Sequence, residues 1–459
     1  MSHAGISMQT LRLLLLGTAA AVIATGCGRQ TGQRALAPVT LAAAPYKPGS
    51  LSIECGTLID GIGDEPRREV TVVIRDGRIA AVNAGYDRPA DLASLDLRAY
   101  TCLPGLIEMH DHITETFSDS TDMSIYLRRN DDEQWLLSRS QAEATLLAGF
   151  TTVRNVGAYH AWTDRELRDA INHGNVAGPR LQVCGYYLTI ANGGGDLIVP
   201  NLSREQIPAR FHAGVAKGPE EFRRKAQIAI DGGADLLKVI ASGAVLAYGG
   251  VPGEREMTPE EIRAVVEVAH AAGKKVAAHA HGAQSIKDAI LAGADTIEHA
   301  SLIDDEAIAL AREHGVALSM DVYNGSYIDT EGRKQGWPEE FLRKNLETTE
   351  AQRQAFTKAH AAGVAIVYGT DAGVYPHGEN ARQFPIMVQR GMTPMEAIKS
   401  ATSVAAKYMG WDDRVGSIDA GKFGDLIAVK GDPLQDITEL QSPTVVIKDG
   451  LAFRLPAAQ

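Results

Sequence analysis

Eight short apolar runs, each followed by a stretch with helical spacing, are the feature of this sequence that most constrains its fold. The helix predicted after the fourth run, for example, has Thr258 as its N-cap, Glu261 completing a capping box and Gly273 as its stop. Strands that alternate with helices in this way predict an α/β chain whose eight β/α units form a (β/α)8 TIM barrel. A doubly wound sheet is the alternative, but no Gly-x-Gly-x-x-Gly motif follows any run. The runs are GLIEMHDH, FTTVRNVG, RLQVCGYYL, DLLKVIASG, KVAAHAHG, DTIEHAS, VALSMDVY and VAIVYGTDAG.

Both ends of the chain have the alternating pattern of antiparallel β-strands. The pairs Asp76-Gly77 and Asp449-Gly450 favour two-residue hairpin turns. We therefore expect a small β-sandwich domain formed by both chain termini. The predicted boundaries are 50–105 and 416–454 for the two parts of the sandwich and 106–415 for the barrel.

The N-terminus is typical of an exported protein. Arg12 precedes an apolar run that ends in small residues at Cys27, and this resembles a bacterial lipoprotein signal peptide with its lipobox at 24–27. The pattern predicts a signal peptide at 1–27, a tether at 28–49, and a lipoprotein of the periplasm or outer membrane. A short membrane anchor that is never cleaved is the alternative for the same run.

The net charge, the apolar runs and the cysteine content limit which binding partners, membrane segments and disulfide bonds can be expected. A formal net charge of -12 without a basic stripe argues against nucleic-acid binding. Beyond residue 27, no apolar run approaches the roughly 18 to 20 residues that a membrane helix needs. Apart from Cys27, the cysteines are Cys55, Cys102 and Cys184, without Cys-x-x-Cys spacing. A disulfide framework is therefore not expected, although one bridge stays open for an exported protein.

Side chains that bind metals stand where the predicted strands end. His110 and His112 lie two residues apart, so in a β-strand both imidazoles project from the same face. Active sites of barrels form at the carboxyl ends of the strands, and four other runs place such residues there. Each residue alone has an ordinary alternative, such as a buried histidine or a helix-capping aspartate. Together they predict a metal centre, because imidazole and carboxylate are ligands that zinc prefers. The other residues are Lys238, His279, His281, His299 and Asp371.

The order His-x-His, Lys, His, His, Asp on eight β/α units resembles the metal-dependent amidohydrolase superfamily. The segments KVIASGAV, AAHAHG, TIEHAS and GTDAG are similar to the branch that contains imidazolonepropionase-like Xaa-Pro dipeptidases (prolidases) and ochratoxin-hydrolysing amidohydrolases. The similarity runs from about Leu51 to Phe453. It is specific for the superfamily and less so for the substrate.

The resemblance implies a centre of two divalent metal ions, which are expected to be zinc. It also implies that Lys238 is N-carboxylated and bridges the two ions. A free ammonium group beside two divalent cations would be repelled, whereas a carbamate is an anionic ligand. Asp371 would act as the general base, and His281 would stabilise the transition state or, alternatively, only orient its neighbours. The implied ligands are His110, His112 and Asp371 for one ion and His279 and His299 for the other.

The implied reaction is hydrolysis of the amide bond of a dipeptide or an N-acyl amino acid, including ochratoxin A, by a hydroxide that bridges the metals. Cyclic-amide hydrolysis or deamination is the alternative within the superfamily, although Lys238 argues against a mononuclear deaminase. Outside enzymes, the alternative is a non-catalytic metal-binding protein of the cell envelope. The family resemblance further implies a small-molecule substrate and a homo-oligomer, with membrane contact only through the N-terminal lipid.

One departure from the relatives concerns the substrate pocket. Close relatives often have Gly-Gly-His-Gly-Asp after strand three, whereas Gly194 stands here in place of the histidine. A substrate contact is therefore lost or supplied elsewhere. The long connections 191–220 and 324–350 are expected to serve as lids or specificity walls. Besides His281, the candidate substrate-binding residues near strand ends are Glu115, Tyr187, Tyr248, Tyr323 and Arg382.

Overall fold

A computed structural model of the protein describes residues 45–456. The expected signal peptide at 1–27 and most of the tether at 28–49 lie outside the described residues. Among the helices of the described part, none combines the length and the apolar character that a membrane crossing requires.

Sixteen β-strands lie within residues 45–456. Four begin the described chain and three end it, and the remaining nine alternate with helices. The strands are β1 Leu51–Leu58, β2 Arg67–Arg75, β3 Arg78–Ala84, β4 Ala93–Pro104, β5 Leu106–Asp111, β6 Phe150–Asn155, β7 Arg180–Gln182, β8 Tyr187–Leu188, β9 Leu236–Ile240, β10 Lys275–Gly282, β11 Thr296–Leu302, β12 Ala317–Ser319, β13 Ile366–Val367, β14 Leu426–Val429, β15 Val445–Lys448 and β16 Leu451–Arg454.

The two ends of the chain build one seven-stranded sheet in the order β16-β15-β14-β4-β1-β2-β3. Both predicted hairpin turns are confirmed: Asp76 and Gly77 have φ values of 48° and 76°, and Asp449 and Gly450 have 52° and 69°. Positive φ at both central positions is the requirement of a tight two-residue hairpin, and Asp-Gly meets it with little strain. Strand β14 pairs with β4, so residues far apart in sequence complete a common core.

The eight apolar runs all form strands, and these strands pair in parallel in two sheets. One sheet has the order β5-β6-β7 and the other β13-β12-β11-β10-β9-β8. The third run contributes β7 to the first sheet and β8 to the second, because the chain turns at Gly185 with a φ of 79°. The prediction of an α/β chain with parallel strands and intervening helices is confirmed.

Hydrogen bonds also join β5 to the segment that follows β13. The Met109 N–H donates to the Tyr368 carbonyl at 2.8 Å, and the Asp371 N–H donates to the His110 carbonyl at 2.8 Å. The ends of the first and eighth runs are therefore neighbours in space, as a shared opening at the carboxyl ends of the strands requires.

The helices follow their sequence signals at most termini. The Thr258 side chain accepts a hydrogen bond from the Glu261 N–H as predicted, and Gly293 and Gly315 end their helices in the left-handed conformation. The helices are α1 Ile125–Arg128, α2 Asp131–Leu147, α3 Thr163–Asn172, α4 Pro219–Asp231, α5 Pro259–Ala271, α6 Ala283–Ala292, α7 Asp305–His314, α8 Asn324–Tyr327, α9 Arg333–Gln335, α10 Glu339–Ala361, α11 Phe384–Gln389, α12 Pro394–Ser400 and α13 Ser403–Met409. Short 3-10 helices are Phe117–Thr121, Arg204–Gln206, Ala209–His212, Asn380–Gln383 and Ile437–Gln441, and Ile328–Gly332 is a π-helical turn.

The two long connections differ from each other in structure. The first, at 191–220, contains mainly turns and 3-10 helices. The second, at 324–350, is largely helical, since it contains α8, the π-helical turn, α9 and the first half of α10. Tyr327 and Trp337 are buried in a cluster with Ala372 and Tyr375. This packing stabilises helices that the Gly-rich sequence of the connection does not predict.

A disulfide bond links Cys55 on β1 to Cys102 on β4. The sequence allowed one disulfide bond without indicating which cysteines form it. In the structure β1 and β4 are neighbouring strands, and this brings Cys55 and Cys102 together. Closing a loop between residues 47 apart is worth about 4 kcal/mol of unfolding free energy in the chain-entropy account. Cys184 is a free, buried thiol.

Candidate metal centre and substrate cleft

The ends of five parallel strands bring the predicted metal ligands together. The His112 and His110 Nε2 atoms lie 3.3 Å and 3.5 Å from Oδ1 of Asp371. Two groups of three side chains have ligand atoms within 4.8 Å of one another, and His299 belongs to both. One group is His110, His299 and Asp371, and the other is His279, His281 and His299.

Lys238 completes this constellation from the middle of β9. Its side chain is buried and lines the same cleft as the histidines and Asp371. The second group of three differs in one respect from the arrangement that the sequence resemblance implied, because it includes His281, which was assigned to the substrate carbonyl.

The donor set of this cluster fits divalent metal ions. Within residues 45–456, Nε2 of His110 and Nε2 of His281 are buried without a hydrogen-bond partner. A buried polar atom with no partner costs about 1–3 kcal/mol, so two such atoms in one cluster are typical of a ligand site. Imidazole nitrogen and carboxylate oxygen at several converging positions suit zinc or a similar ion.

The Nδ1 atoms of three histidines have hydrogen-bond partners on neighbouring side chains. Glu298 Oε2 lies 2.8 Å from Nδ1 of His110, Asp321 Oδ1 lies 3.0 Å from Nδ1 of His299, and Ser301 Oγ lies 2.8 Å from Nδ1 of His281. Partners of this kind set the tautomer of each ring and aim Nε2 at the centre of the cluster. Sequence reasoning missed all three, although Glu298 and Ser301 lie within two residues of His299.

Glu298 is itself part of a buried ion pair. Arg154 on β6 donates from Nη2 to Glu298 Oε1 at 2.7 Å and from Nε to the Met109 carbonyl at 2.6 Å. Burial favours the neutral form of Glu298, but Arg154 and the His110 hydrogen bond outweigh burial and hold the pKa of this carboxyl well below its usual range. Glu298 therefore stays an anion that can orient His110.

Burial sets the charge state of the cluster. It lowers the pKa of His110, with help from Lys238, to about 3, which keeps this imidazole neutral and able to bind a metal. Burial also lowers the pKa of Lys238, against the opposing effect of Glu298 and Asp371. For Asp371, burial is outweighed by His112 and His110, so the pKa of this carboxyl is lowered and the carboxylate is ionised at neutral pH.

The backbone is strained at two of the ligand positions. His299 has a φ of 70°, Ala300 of 50° and Asp371 of 60°, in the left-handed region that favours glycine. Each such residue costs about 1–3 kcal/mol and persists where the surrounding structure enforces it, most often at functional sites. The strain turns His299 and Asp371 out of the regular strand path towards the cluster.

A cleft of about 970 Å³, including its open mouth, leads to the cluster. One wall is aromatic: the ring centroids of Tyr126 and Tyr159 are 4.8 Å apart, and those of Tyr159 and Tyr187 are 5.3 Å apart. Met123 and Leu246 extend this wall. The cleft therefore has an apolar, aromatic wall next to the candidate metal centre.

Three of the six candidate substrate residues line this cleft: Glu115, Tyr187 and His281. The Tyr187 hydroxyl lies 3.0 Å from Nδ1 of His112 and 3.3 Å from Oε1 of Glu115, so it connects the wall to a ligand. The other three do not line it. Tyr248 packs on Phe341, Tyr323 packs on Tyr375, and Arg382 lies near the Tyr323 hydroxyl and Glu379.

The loop that lacks the histidine of relatives is tightly packed. The Gly194 N–H donates to Oε2 of Glu256 at 2.8 Å, and a Cβ at Gly194 would lie 2.9 Å from Cβ of Ala244. A histidine at this position would need the neighbouring chain to move. Asp196 is buried and accepts hydrogen bonds from Arg204 and the Asn192 N–H, so it anchors the loop.

Glu256 predicts a pH dependence of stability. Burial raises the pKa of its carboxyl from 4.5 to about 7. Between these two values the unfolded chain releases this proton while the folded chain keeps it, so the free energy of unfolding falls as pH rises. The Glu256→Gln variant should lack this fall and become more stable relative to the original protein, by on the order of 2 kcal/mol at pH 7. Urea unfolding at intervals from pH 4.5 to 7.5 measures the difference, and a difference that does not change with pH would contradict the assignment.

Comparisons with known proteins agree with this geometry. A family model described as "Amidohydrolase family" matches residues 101–452. Ochratoxinase of Aspergillus niger is 33% identical over 426 residues, which cover 88% of this chain and 86% of that protein. Imidazolonepropionase of Idiomarina loihiensis is 24% identical over 391 residues, covering 82% and 89%. The crystal structure of a Xaa-Pro dipeptidase with bound methionine in the active site superposes with a TM-score of 0.82 at 36% identity, covering 88% of this chain and all of that one.

Proposed function

Because the chain belongs to the amidohydrolase family and acts as a hydrolase of amide C–N bonds, we propose that it is a binuclear metal-dependent enzyme that cleaves dipeptides or N-acyl amino acids. The observation that carries this proposal is the convergence of buried histidines and Asp371 at the ends of parallel strands, with an unpartnered Nε2 atom on His110. The names of the relatives, ochratoxinase and Xaa-Pro dipeptidase, support the choice of substrate class.

The family resemblance implies which residues would hold two zinc ions, and these residues lie in or beside the cluster. Lys238, as an N-carboxylate, would bridge the ions, and its burial among the ligands supports this role. When bound, the ions supply polarisation of the substrate carbonyl and lower the pKa of a water molecule towards neutrality. The proposed ligands are His110, His112 and Asp371 for one ion and His279 and His299 for the other.

Asp371 is the group that moves the proton in this proposal. Its carboxylate is ionised at neutral pH, so it can accept a proton from the attacking water and deliver it to the leaving nitrogen. The proton transfer needs the carboxylate to face the reacting atoms, and its Oδ1 faces the His110 and His112 rings.

His281 is placed to stabilise the charge that develops on the substrate carbonyl oxygen. Ser301 Oγ lies 2.8 Å from Nδ1 of His281, and in this proposal the hydroxyl donates to Nδ1, so the imidazole proton is on Nε2 and Nε2 is the donor to the carbonyl oxygen. Burial lowers the pKa of His281 well below its ordinary value, so the ring is neutral and acts as a hydrogen-bond donor, not as a cation.

The aromatic wall suggests which amides the cleft favours. Tyr126, Tyr159 and Tyr187 offer an apolar surface beside the candidate metal centre, and such a surface stabilises a large hydrophobic or aromatic side chain. We therefore include N-acyl phenylalanines such as ochratoxin A among the proposed substrates, in keeping with the ochratoxinase relative.

We also propose that the two parallel sheets close into one (β/α)8 barrel. The third run belongs to both sheets, and hydrogen bonds join the first run to the segment after the eighth, which supports closure at both junctions. The seven-stranded sheet would fold over into a small β-sandwich. Arg78 at the start of β3 bridges to Phe423 next to β14, four strands away in the sheet order, and this contact supports the fold-over.

Export, lipid anchoring and assembly into a homo-oligomer stay part of the proposal. The Cys55–Cys102 disulfide supports an oxidising location such as the periplasm, because disulfides are rare in reducing compartments. The domain boundaries at 105/106 and 415/416 belong to the same proposal.

The experiment that tests the proposed function measures metal content and amino-acid release together. Elemental analysis of the purified chain should give about two zinc ions per chain. Incubation with a panel of dipeptides and N-acyl amino acids should release one class of free amino acid. One metal ion or none, with no release from any member of the panel, would contradict the proposal and favour a deaminase or a non-catalytic envelope protein.

A further inference from the structure

We propose that Asn324 is a positioning residue for Asp371: its side-chain amide lies between the Asp371 and Asp321 carboxylates, donates a hydrogen bond to each, and so fixes the orientation of the base. This inference rests on the proposed function. Asn324 begins α8 in the connection after β12, it is buried, and it lines the cleft.

The hydrogen bonds divide the two oxygens of Asp371 between two tasks. Nδ2 of Asn324 lies 3.1 Å from Oδ2 of Asp371, and Oδ1 of the same carboxylate faces His112 and His110. With Oδ2 held, the carboxylate cannot rotate freely, and Oδ1 stays directed at the centre of the cluster. The same amide bonds Oδ2 of Asp321, whose Oδ1 lies 3.0 Å from the His299 ring nitrogen.

The residue type matches this position. A primary amide carries two N–H groups on one nitrogen, and two carboxylates are acceptors without a donor of their own. Each N–H therefore has one acceptor, and the pair of acceptors fixes which way the amide of Asn324 points. A serine would supply one donor, whereas aspartate would add a third negative charge and leucine would supply no donor.

Neighbouring contacts hold the backbone that carries this amide. A Cβ on Gly325 would lie 2.2 Å from Oγ1 of Thr349, so glycine lets α8 approach α10 closely. Asn345 on α10 donates to the Gly325 carbonyl at 3.0 Å. The next turn, Ile328–Gly332, is π-helical, and such turns occur frequently at functional sites.

The same segment packs against the chain that follows Asp371. Tyr327 and Ile328 lie in one buried cluster with Ala372 and Val374. The segment and the strand end that carries the base thus form one packed unit, in which Asn324 makes the polar contact. Loss of that contact should disturb the geometry of proton transfer more than the binding of substrate.

The test compares Asn324→Leu, which keeps the branched side-chain shape and removes both donors, with Thr330→Val, a change at an exposed position of the same connection. We expect Asn324→Leu to lower kcat by about 10- to 100-fold, the range typical of contacts that orient metal ligands, with KM within about threefold and metal content unchanged. Thr330→Val should leave kcat and KM as they are. An Asn324→Leu variant with kcat within about threefold of the original protein would overturn the proposal.

A second variant and a spectrum keep the test decisive. Asn324→Ser retains one donor, so its kcat should lie between those of the original protein and Asn324→Leu, and this variant replaces Asn324→Leu if the latter does not fold. The visible absorption spectrum of the Co²⁺-loaded protein should change in Asn324→Leu and not in Thr330→Val, because the carboxylate of Asp371 is reoriented. If the original protein hydrolyses no amide in the panel, the proposed function is wrong. Independently of activity, an Asn324→Leu variant with an unchanged cobalt spectrum would overturn the role of Asn324.

Discussion

Replacing Asp371 by asparagine is expected to lower kcat by about 10³-fold while the metal content of the protein is unchanged. The amide cannot accept a proton from water, but it keeps one oxygen that can face His110 and His112. Asparagine also tolerates the left-handed backbone at this position, where φ is 60°, so the fold should be retained. Steady-state kinetics on the best substrate of the panel, together with elemental analysis, measure both effects.

The matched control for this variant is Asp329→Asn. The Asp329 side chain is 48% exposed, pairs with Arg333, and lies away from the cleft. Its replacement changes the same functional group and the same net charge, and activity should stay close to that of the original protein. Substantial turnover by Asp371→Asn, with metal present, would show that another group acts as the base.

Replacing Lys238 by alanine should abolish activity, and added short-chain carboxylate such as acetate or propionate should restore part of it. Burial lowers the pKa of Lys238, which favours the neutral amine, and the neutral amine is the form that combines with carbon dioxide to give a carbamate and a proton. Alanine would remove the proposed anionic ligand and leave a space beside the cluster that a small carboxylate can enter. We expect kcat to fall by at least about 10³-fold and to rise at least about tenfold with saturating carboxylate.

The control for the rescue is Lys344→Ala. Lys344 is equally buried, but its Nζ donates to the Ala247 carbonyl and to Glu340, and its side chain does not line the cleft. Added carboxylate should therefore leave the activity of Lys344→Ala unaffected. If Lys238→Ala shows no response to carboxylate at any concentration while it retains its fold and metal, the bridging role of Lys238 is wrong.

Much of the fold could be predicted because its signals are local. Each of the eight runs forms a strand, and the helix starts at Thr258 and ends such as Gly293 and Gly315 follow from side-chain capping and from backbone freedom. The family assignment is confirmed as well. The helices of the connection after β12 could not be predicted, because they depend on the burial of Tyr327, at the end of α8, and of Trp337, between α9 and α10, against residues about 40 positions later in the sequence.

The candidate ligands could be predicted, since position at a strand end is visible in the sequence, but the residues that orient them could not. Glu298 reaches His110 across 188 residues of sequence, and no spacing pattern announces such a pair. The Cys55–Cys102 pairing depends in the same way on which strands become neighbours. Tyr248, Tyr323 and Arg382 were chosen as possible substrate-binding residues from proximity in sequence to strand ends, and their side chains do not line the cleft, since Tyr248 packs on Phe341 and Tyr323 on Tyr375.

The seven-stranded sheet has a consequence for the order in which the protein can be made. Strand β14 lies beside β4, so the sheet that begins with residue 51 stays incomplete until the chain as far as residue 454 has reached the compartment where it folds. A nascent chain that stops short of β14 exposes one edge of β4 and part of its apolar core, which is the kind of surface that aggregates or recruits chaperones. The Cys55–Cys102 bond lies entirely within the first half of that sheet, so it can hold β1 and β4 together before the last strands arrive. Premature termination near the C-terminus should thus yield an insoluble product, and not a slightly shortened enzyme.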